Sequence, residues 1–243
     1  MVAVRVNIDL AEQMVCACAA AGPSGARLVL TSSMAAVRAE GQPIAAGRDC
    51  YTTSDWNTVS QRDGPSFAPY QYSKTESEQR AWYLAKEVGL EMVSINPAMI
   101  FGPPRDPASS AFSVEMARGW ARGDAPVRSV LVSDVRDVAL AHIRAALAPE
   151  AAGRRYIVAC ERRSPASAEA AAVRRGLRAA EGAGDPSSDV VHAVEGQEMG
   201  EGGGAIGIGE QEVDAAAALW SDLGVKCRTS AETLEDMVKA LRL

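Results

Sequence analysis

Histidine is nearly absent from this chain: there are two in 243 residues. The five cysteines (Cys16, Cys18, Cys50, Cys160, Cys227) are scattered, odd in number and form no C-x-x-C pair. These shortages argue against a metal centre and a disulfide framework, and fit reduced thiols in a cytoplasmic protein. No apolar run approaches the roughly 20 residues that a membrane helix needs. Asp9 and Glu12 interrupt what would be the apolar region of a signal peptide. Excess positive charge is also missing. The net charge is −6, which leaves no basic footprint for nucleic acid or an anionic membrane. No internal repeat is visible, and the surplus of Arg over Lys is read as a compositional habit.

The length suffices for one good-sized core, or one core with a small lobe. Val4 to Ala20 reads as an amphipathic helix, with Val6, Leu10, Met14 and Ala17 recurring at helical spacing between polar residues. Gly22-Pro23-Ser24-Gly25 ends it. Arg27 to Thr31 is a short apolar strand of the buried, parallel-sheet kind, and Ser32-Ser33 sits at its C-terminal end. In open α/β sheets that end is where ligands bind. Met34 to Ala68 reads as a long loop, in which Trp56 either anchors the loop to the core or lines a pocket.

Pro69 suits a helix entry and Gly89 a helix exit, with good helix formers between them. On that helix Tyr70 and Lys74, four apart, share one face, one turn apart. A phenol with a pKa of about 10 is a poor proton donor or acceptor at neutral pH. A nearby ammonium favours the phenolate and brings it closer to working range. The spacing alone is a weak motif.

Leu90 to Asn96 is a second strand, running into a loop of extended backbone at Pro97 to Pro104. Ser109 to Arg122 reads as a helix and Val127 to Val132 as a short strand. A helix entered by Asp134 or Asp137 follows, then a third strand at Gly153 to Ala159. This alternation is that of a parallel sheet with crossover helices. Ser164-Pro165 caps a helix reaching about Ala180. Gly182 to Gly209 is Gly-, Ser- and Glu-rich and reads as flexible, with at best a short strand at Asp189 to Val194. Val213 to Leu223 and Ala231 to Leu241 look helical, with Ser230 placed to cap the second.

Four blocks line up: Thr31-Ser32-Ser33-Met34-Ala35-Ala36-Val37, Tyr70-Gln71-Tyr72-Ser73-Lys74, Asn96-Pro97-Ala98-Met99-Ile100-Phe101-Gly102-Pro103, and Asp134 to His142. In this order and spacing they resemble the extended short-chain dehydrogenase/reductase superfamily, the NAD-dependent epimerase/dehydratase group. The resemblance is nearest to the cinnamoyl-CoA reductase and dihydroflavonol reductase branch, to which Asp55-Trp56-Asn57, Ala81-Trp82 and Asp214 to Gly224 also point. It implies an α/β fold, the C-terminal part of a Rossmann-like doubly wound parallel sheet, plus a small α-rich substrate lobe. The implied division is 1–159 for a partial NAD(P)-binding domain and 160–243 for the substrate region, with 182–209 flexible.

By the resemblance, Ser33 matches the serine that hydrogen-bonds the substrate carbonyl or alcohol. Tyr70 matches the general acid/base; Tyr72 is its rival, but only Tyr70 has Lys74 at one-turn spacing. Lys74 matches the lysine that lowers the tyrosine pKa and binds the nicotinamide ribose hydroxyls. Thr31, Ser32, Tyr70, Lys74, Pro97, Ala98, Met99 and Ile100 are the implied cofactor-binding positions. Asp134 to His142 is read as mainly structural, with His142 a packed helix residue. The implied activity is hydride transfer between NADP or NAD, NADP being favoured, and the carbonyl or alcohol carbon of a small molecule: an aldehyde, ketone or CoA thioester. A nucleotide-sugar epimerase or a 3β-hydroxysteroid dehydrogenase is the alternative on the same fold. A homodimer is expected by analogy.

One family feature has no counterpart here. The strand, Gly-rich turn and helix that cradle the pyrophosphate are not in the sequence. Gly22-Pro23-Ser24-Gly25 and Gly202-Gly203-Gly204 have neither the spacing nor the context. The expectation is an N-terminally truncated form, and the rival function is an inactive remnant acting through interaction.

Overall fold

The computed structural model describes residues 2–23, 25–63, 68–127, 130–161, 166–180, 212–213 and 216–241. The expectations for Ser164-Pro165, for 182–209 and for a strand at Asp189 to Val194 lie outside these residues. In chain order the elements are α1 (Val2–Ala21), β1 (Arg27–Thr31), β2 (Cys50–Tyr51), α2 (Pro69–Glu87), β3 (Glu91–Pro97), β4 (Met99–Phe101), α3 (Phe112–Arg122), β5 (Val132–Asp134) and α4 (Val135–Leu147). They continue with β6 (Arg155–Val158), α5 (Ala166–Ala180), β7 (Glu212–Val213), α6 (Ala216–Leu223) and α7 (Ser230–Leu241). Among the described residues no helix is long and apolar enough to cross a membrane.

The chain packs as two compact units. One is Met1–Ala98 with Val138–Val158 and Gln211–Lys226; the other is Met99–Asp137 with Ala159–Glu210 and Cys227–Leu243. The units interleave along the chain, each drawing segments from both sides of residue 159.

The first unit holds a parallel sheet in the order β1-β3-β6. Arg27 pairs with Glu91 at one end and Thr31 with Ile95 at the other, and β3 runs on to pair Pro97 with Val158. Side chains of β3 from Met92 to Pro97 are all buried, the polar Ser94 and Asn96 among them, as in a strand covered on both faces. One face packs on α1 and α2 through Ala11, Val15, Leu28, Leu30, Ala81, Ala85 and Met92.

The helical reading of α1 holds, but its buried face is not the expected one. Val6, Leu10 and Met14 are 45%, 51% and 44% exposed, and Ala17 is exposed as well. Val4, Ala11 and Val15 are the buried stripe. The reason is the partner: α2 offers Ala81 and Ala85, and small residues on both helices let the axes approach closely.

The second unit pairs β4 with β5 in parallel and closes its core around Phe101, Trp120, Leu177, Leu234 and Met237. The Phe101 and Trp120 rings stack at 5.5 Å. Two expected boundaries shift here. Met99 to Phe101 is a strand where a loop was expected, and the following strand starts at Val132 rather than Val127. Thr229, not Ser230, caps α7. Its hydroxyl accepts from the Glu232 amide at 3.2 Å, and the Glu232 carboxylate accepts in return from the Thr229 amide at 2.9 Å. That is a capping box; Ser230 is instead buried in the first turn.

Candidate active site

The C-terminal end of β1 delivers three hydroxyls in a row, and the structure gives each a different task. Thr31 meets His142 at 2.7 Å, and the other ring nitrogen of His142 lies 2.8 Å from the Val138 carbonyl. A carbonyl only accepts, so Nδ1 carries a proton. His142 is therefore a bonded helix residue, as its sequence context suggested. Ser32 is buried and donates to Glu78 at 2.6 Å. Ser33 is extended (φ −164, ψ 155) and caps the 3-10 turn Met34–Ala36, accepting from the Ala35 amide at 3.1 Å. Its own hydroxyl proton is left to donate.

Tyr70 and Lys74 lie in the first turns of α2, which Pro69 opens. Tyr70 is 60% exposed. Lys74 is half-buried, and desolvation lowers its pKa against the opposing charge of Glu78. It donates no hydrogen bond to a described residue. The Ser33 turn packs on the same helix: Thr75 Oγ1 reaches the Ala35 carbonyl at 3.4 Å. Among the described residues no hydrogen bond joins Ser33, Tyr70 and Lys74 to one another.

Tyr70, Lys74 and Glu78 sit at four-residue steps on α2. Glu78 is fully buried, and sequence reasoning passed it over. Oε2 accepts from Ser32 at 2.6 Å and from Asn96 Nδ2 at 2.7 Å; Oε1 accepts from Ser94 and from Arg155 Nε, each at 2.7 Å. Burial alone would raise the Glu78 pKa, but the Arg155 guanidinium and the serine donors hold it below the usual carboxylate range. Arg155 also donates to the carbonyls of Thr53 (2.7 Å) and Asp55 (2.6 Å) and stacks 3.7 Å over the Trp56 ring. Trp56 thus anchors the long loop.

The remaining implied cofactor positions fall in both units. In the first, Pro97 ends β3 and the Ala98 amide donates to Val158. In the second, Met99 and Ile100 open β4, where the Met99 amide donates to Leu131. There Gly102 follows at φ +119, and a Cβ would lie 2.9 Å from Val135 Cγ1. Asp134 is buried, its carboxylate taking the Arg136 amide at 2.7 Å and the Thr233 hydroxyl at 2.9 Å. Burial is outweighed by Arg136, and its pKa falls. Asp137 differs: burial dominates over Arg228 and its pKa rises.

A cleft of about 280 Å³ is lined by Thr53, Ser54, Gly153, Arg154, Tyr156 and Asp222, among others. It opens at the N-terminal end of β6, the opposite end of the parallel sheet from Ser33. Arg154 and Tyr156 both donate to Asp222, at 2.7 and 3.0 Å. Ligands of open α/β sheets gather at the strands' carboxyl ends, so Ser33, Tyr70 and Lys74 remain the candidate site.

The model of the NAD dependent epimerase/dehydratase family matches residues 2–159. Cinnamoyl-CoA reductase CAD2 of Medicago truncatula is 38% identical over 142 residues, 57% of this chain and 42% of that protein. Cinnamoyl-CoA reductase 2 of Arabidopsis thaliana is 38% identical over 146 residues, 58% of this chain and 42% of that protein. The chain thus spans under half the length of these curated relatives. Among solved structures, yeast methylglyoxal/isovaleraldehyde reductase Gre2 complexed with NADPH superposes at TM-score 0.73. It is 22% identical, over 97% of this chain and 69% of that one, a likeness of fold.

Proposed function

The chain belongs to the NAD dependent epimerase/dehydratase family, and from that premise we propose that it is an NAD(P)-dependent reductase of carbonyl compounds. Its substrates would be aldehydes, ketones or CoA thioesters. The proposed set is Ser33, Tyr70 and Lys74. The observation that carries it is Lys74. A half-buried ammonium without an acceptor among the described residues is costly, and three N–H donors one turn from a tyrosine suit the hydroxyls of a ribose.

When bound, the reduced nicotinamide supplies the hydride. In this reading Tyr70 Oη delivers the proton to the carbonyl oxygen, and the free O–H of Ser33 donates to the same oxygen beforehand. Lys74, one turn along α2 from Tyr70, would hold the ribose hydroxyls. Pro97, Ala98, Met99 and Ile100 are the proposed backbone beside the cofactor. Thr31 and Ser32 would contribute backbone only, since their hydroxyls serve His142 and Glu78. The sequence offers no Gly-rich turn for the pyrophosphate, so no residue of this chain is assigned to it. NADP is proposed ahead of NAD because the similar yeast reductase is a complex with NADPH.

Titration of the purified chain with NADPH and NADH, followed by nicotinamide fluorescence, tests this reading. Saturable binding, tighter for NADPH, is expected. No binding up to millimolar cofactor would leave the chain without the proposed activity.

A further inference from the structure

Glu78 has more hydrogen bonds than an ion pair needs. Each carboxylate oxygen takes three donors: Oε1 from Ser94, Arg155 and Trp82, Oε2 from Ser32, Asn96 and Arg155. Three of these donors come from the strands that carry the candidate site, Ser32 just past the end of β1 and Ser94 and Asn96 within β3. Ser32 precedes Ser33, and Ser94 and Asn96 precede Pro97. Asn96 Nδ2 bridges, giving 2.7 Å to Glu78 and 3.1 Å to the Ser33 carbonyl. That carbonyl also accepts the Ala36 amide that closes the Ser33 turn, at 3.0 Å. A buried ion pair is a poor source of net stability, because an apolar pair of similar volume serves as well or better. Its use here must be sought in what it orders.

We infer that Glu78 is a positioning residue: its carboxylate ties α2 to the ends of β1 and β3 and, through Asn96, holds the Ser33 turn against the helix that carries Tyr70 and Lys74. This rests on the assignment of Ser33, Tyr70 and Lys74. The placement of the turn can be read without turnover. Glu78→Gln leaves a buried Arg155 cation with a neutral partner, and the fold will suffer for that reason alone. Glu78→Gln combined with Arg155→Met removes the stranded charge and should bring the urea midpoint back towards that of the wild type. The positioning donors stay mismatched.

Amide hydrogen exchange at Ala35, Ala36 and Val37 reads the turn, with Leu30 inside β1 as the control. The double variant is expected to lose about tenfold of the protection at the turn while Leu30 keeps its own. Its kcat at saturating NADPH should fall with NADPH affinity retained. Should the Gln variants not fold, Glu78→Asp, which keeps the charge and shortens the reach, carries the same comparison. Turn protection within twofold of wild type in the folded variant overturns the inference. A wild type that turns nothing over refutes the assignment of the catalytic set; the exchange result still decides the role of Glu78.

Discussion

Replacing Arg155 by Met strands the Glu78 carboxylate in the interior. The side chains are 10% and 0% exposed, so little water can compensate. Removing one partner of such a pair costs about 3–5 kcal/mol. The carbonyls of Thr53 and Asp55 each lose a donor worth about 1 kcal/mol, and the Trp56 contact is lost as well. These losses overlap, and about 4 kcal/mol is the expected total. With a urea slope of about 2–3 kcal/mol per molar, the midpoint should drop by about 1.3–2 M.

The deficit should also depend on pH. In the wild type the folded-state pKa of Glu78 is depressed. The pair therefore stabilises above the unfolded-state value and stops doing so as pH falls through the folded one. Without Arg155, burial is left as the main influence, and the folded pKa moves above the unfolded value. The variant then takes up its proton at higher pH, and the deficit shrinks from there downwards. Urea unfolding at about pH 7 and about pH 4 measures both. A loss under about 1 kcal/mol, or one equal at the two pH values, would refute the reasoning.

Three further outcomes are expected. Leu10→Ser should change stability by less than about 0.5 kcal/mol and Val15→Ala should cost about 2 kcal/mol, because α1 buries the second residue and not the first; urea midpoints compare them. Thr229→Ala should remove the cap of α7 at a cost of about 1 kcal/mol, seen as a fall of about 2–4 °C in Tm. Gly102→Ala should cost about 1–3 kcal/mol in urea unfolding, since φ +119 strains any side chain and the new Cβ meets Val135.

β1 was legible because Leu28-Val29-Leu30 is a continuous apolar run: it spans Arg27–Thr31, as its residues suggested. Elements bounded by Pro and Gly were legible for the same local reason, as α2 is by Pro69 and Gly89. The buried face of α1 was not. Val6, Leu10 and Met14 carry more apolar signal than Val4, Ala11 and Val15, and only the small residues of α2 decide which stripe is covered. The Glu78–Arg155 pair joins residues far apart in sequence across the sheet, and no window contains both. Half of it was within reach, since Glu78 continues the Tyr70, Lys74 spacing by one more turn. The Thr229-x-x-Glu232 box is equally local, and the neighbouring Ser230 competes with Thr229 as a capping residue in the sequence. Placement of Met99 and Ile100 in a strand of the second unit depends on β5, which three residues at Val132–Asp134 barely announce.

The central claim is that Tyr70 delivers the proton in a nicotinamide-dependent reduction. Carbonyl-dependent oxidation of NADPH, followed by the absorbance of the reduced cofactor in wild type and Tyr70→Phe, tests it most directly. The account predicts turnover by the wild type, a loss of about 10²–10⁴-fold in kcat on removing the phenol oxygen, and NADPH affinity retained. A Tyr70→Phe variant that turns over at the wild-type rate would contradict it.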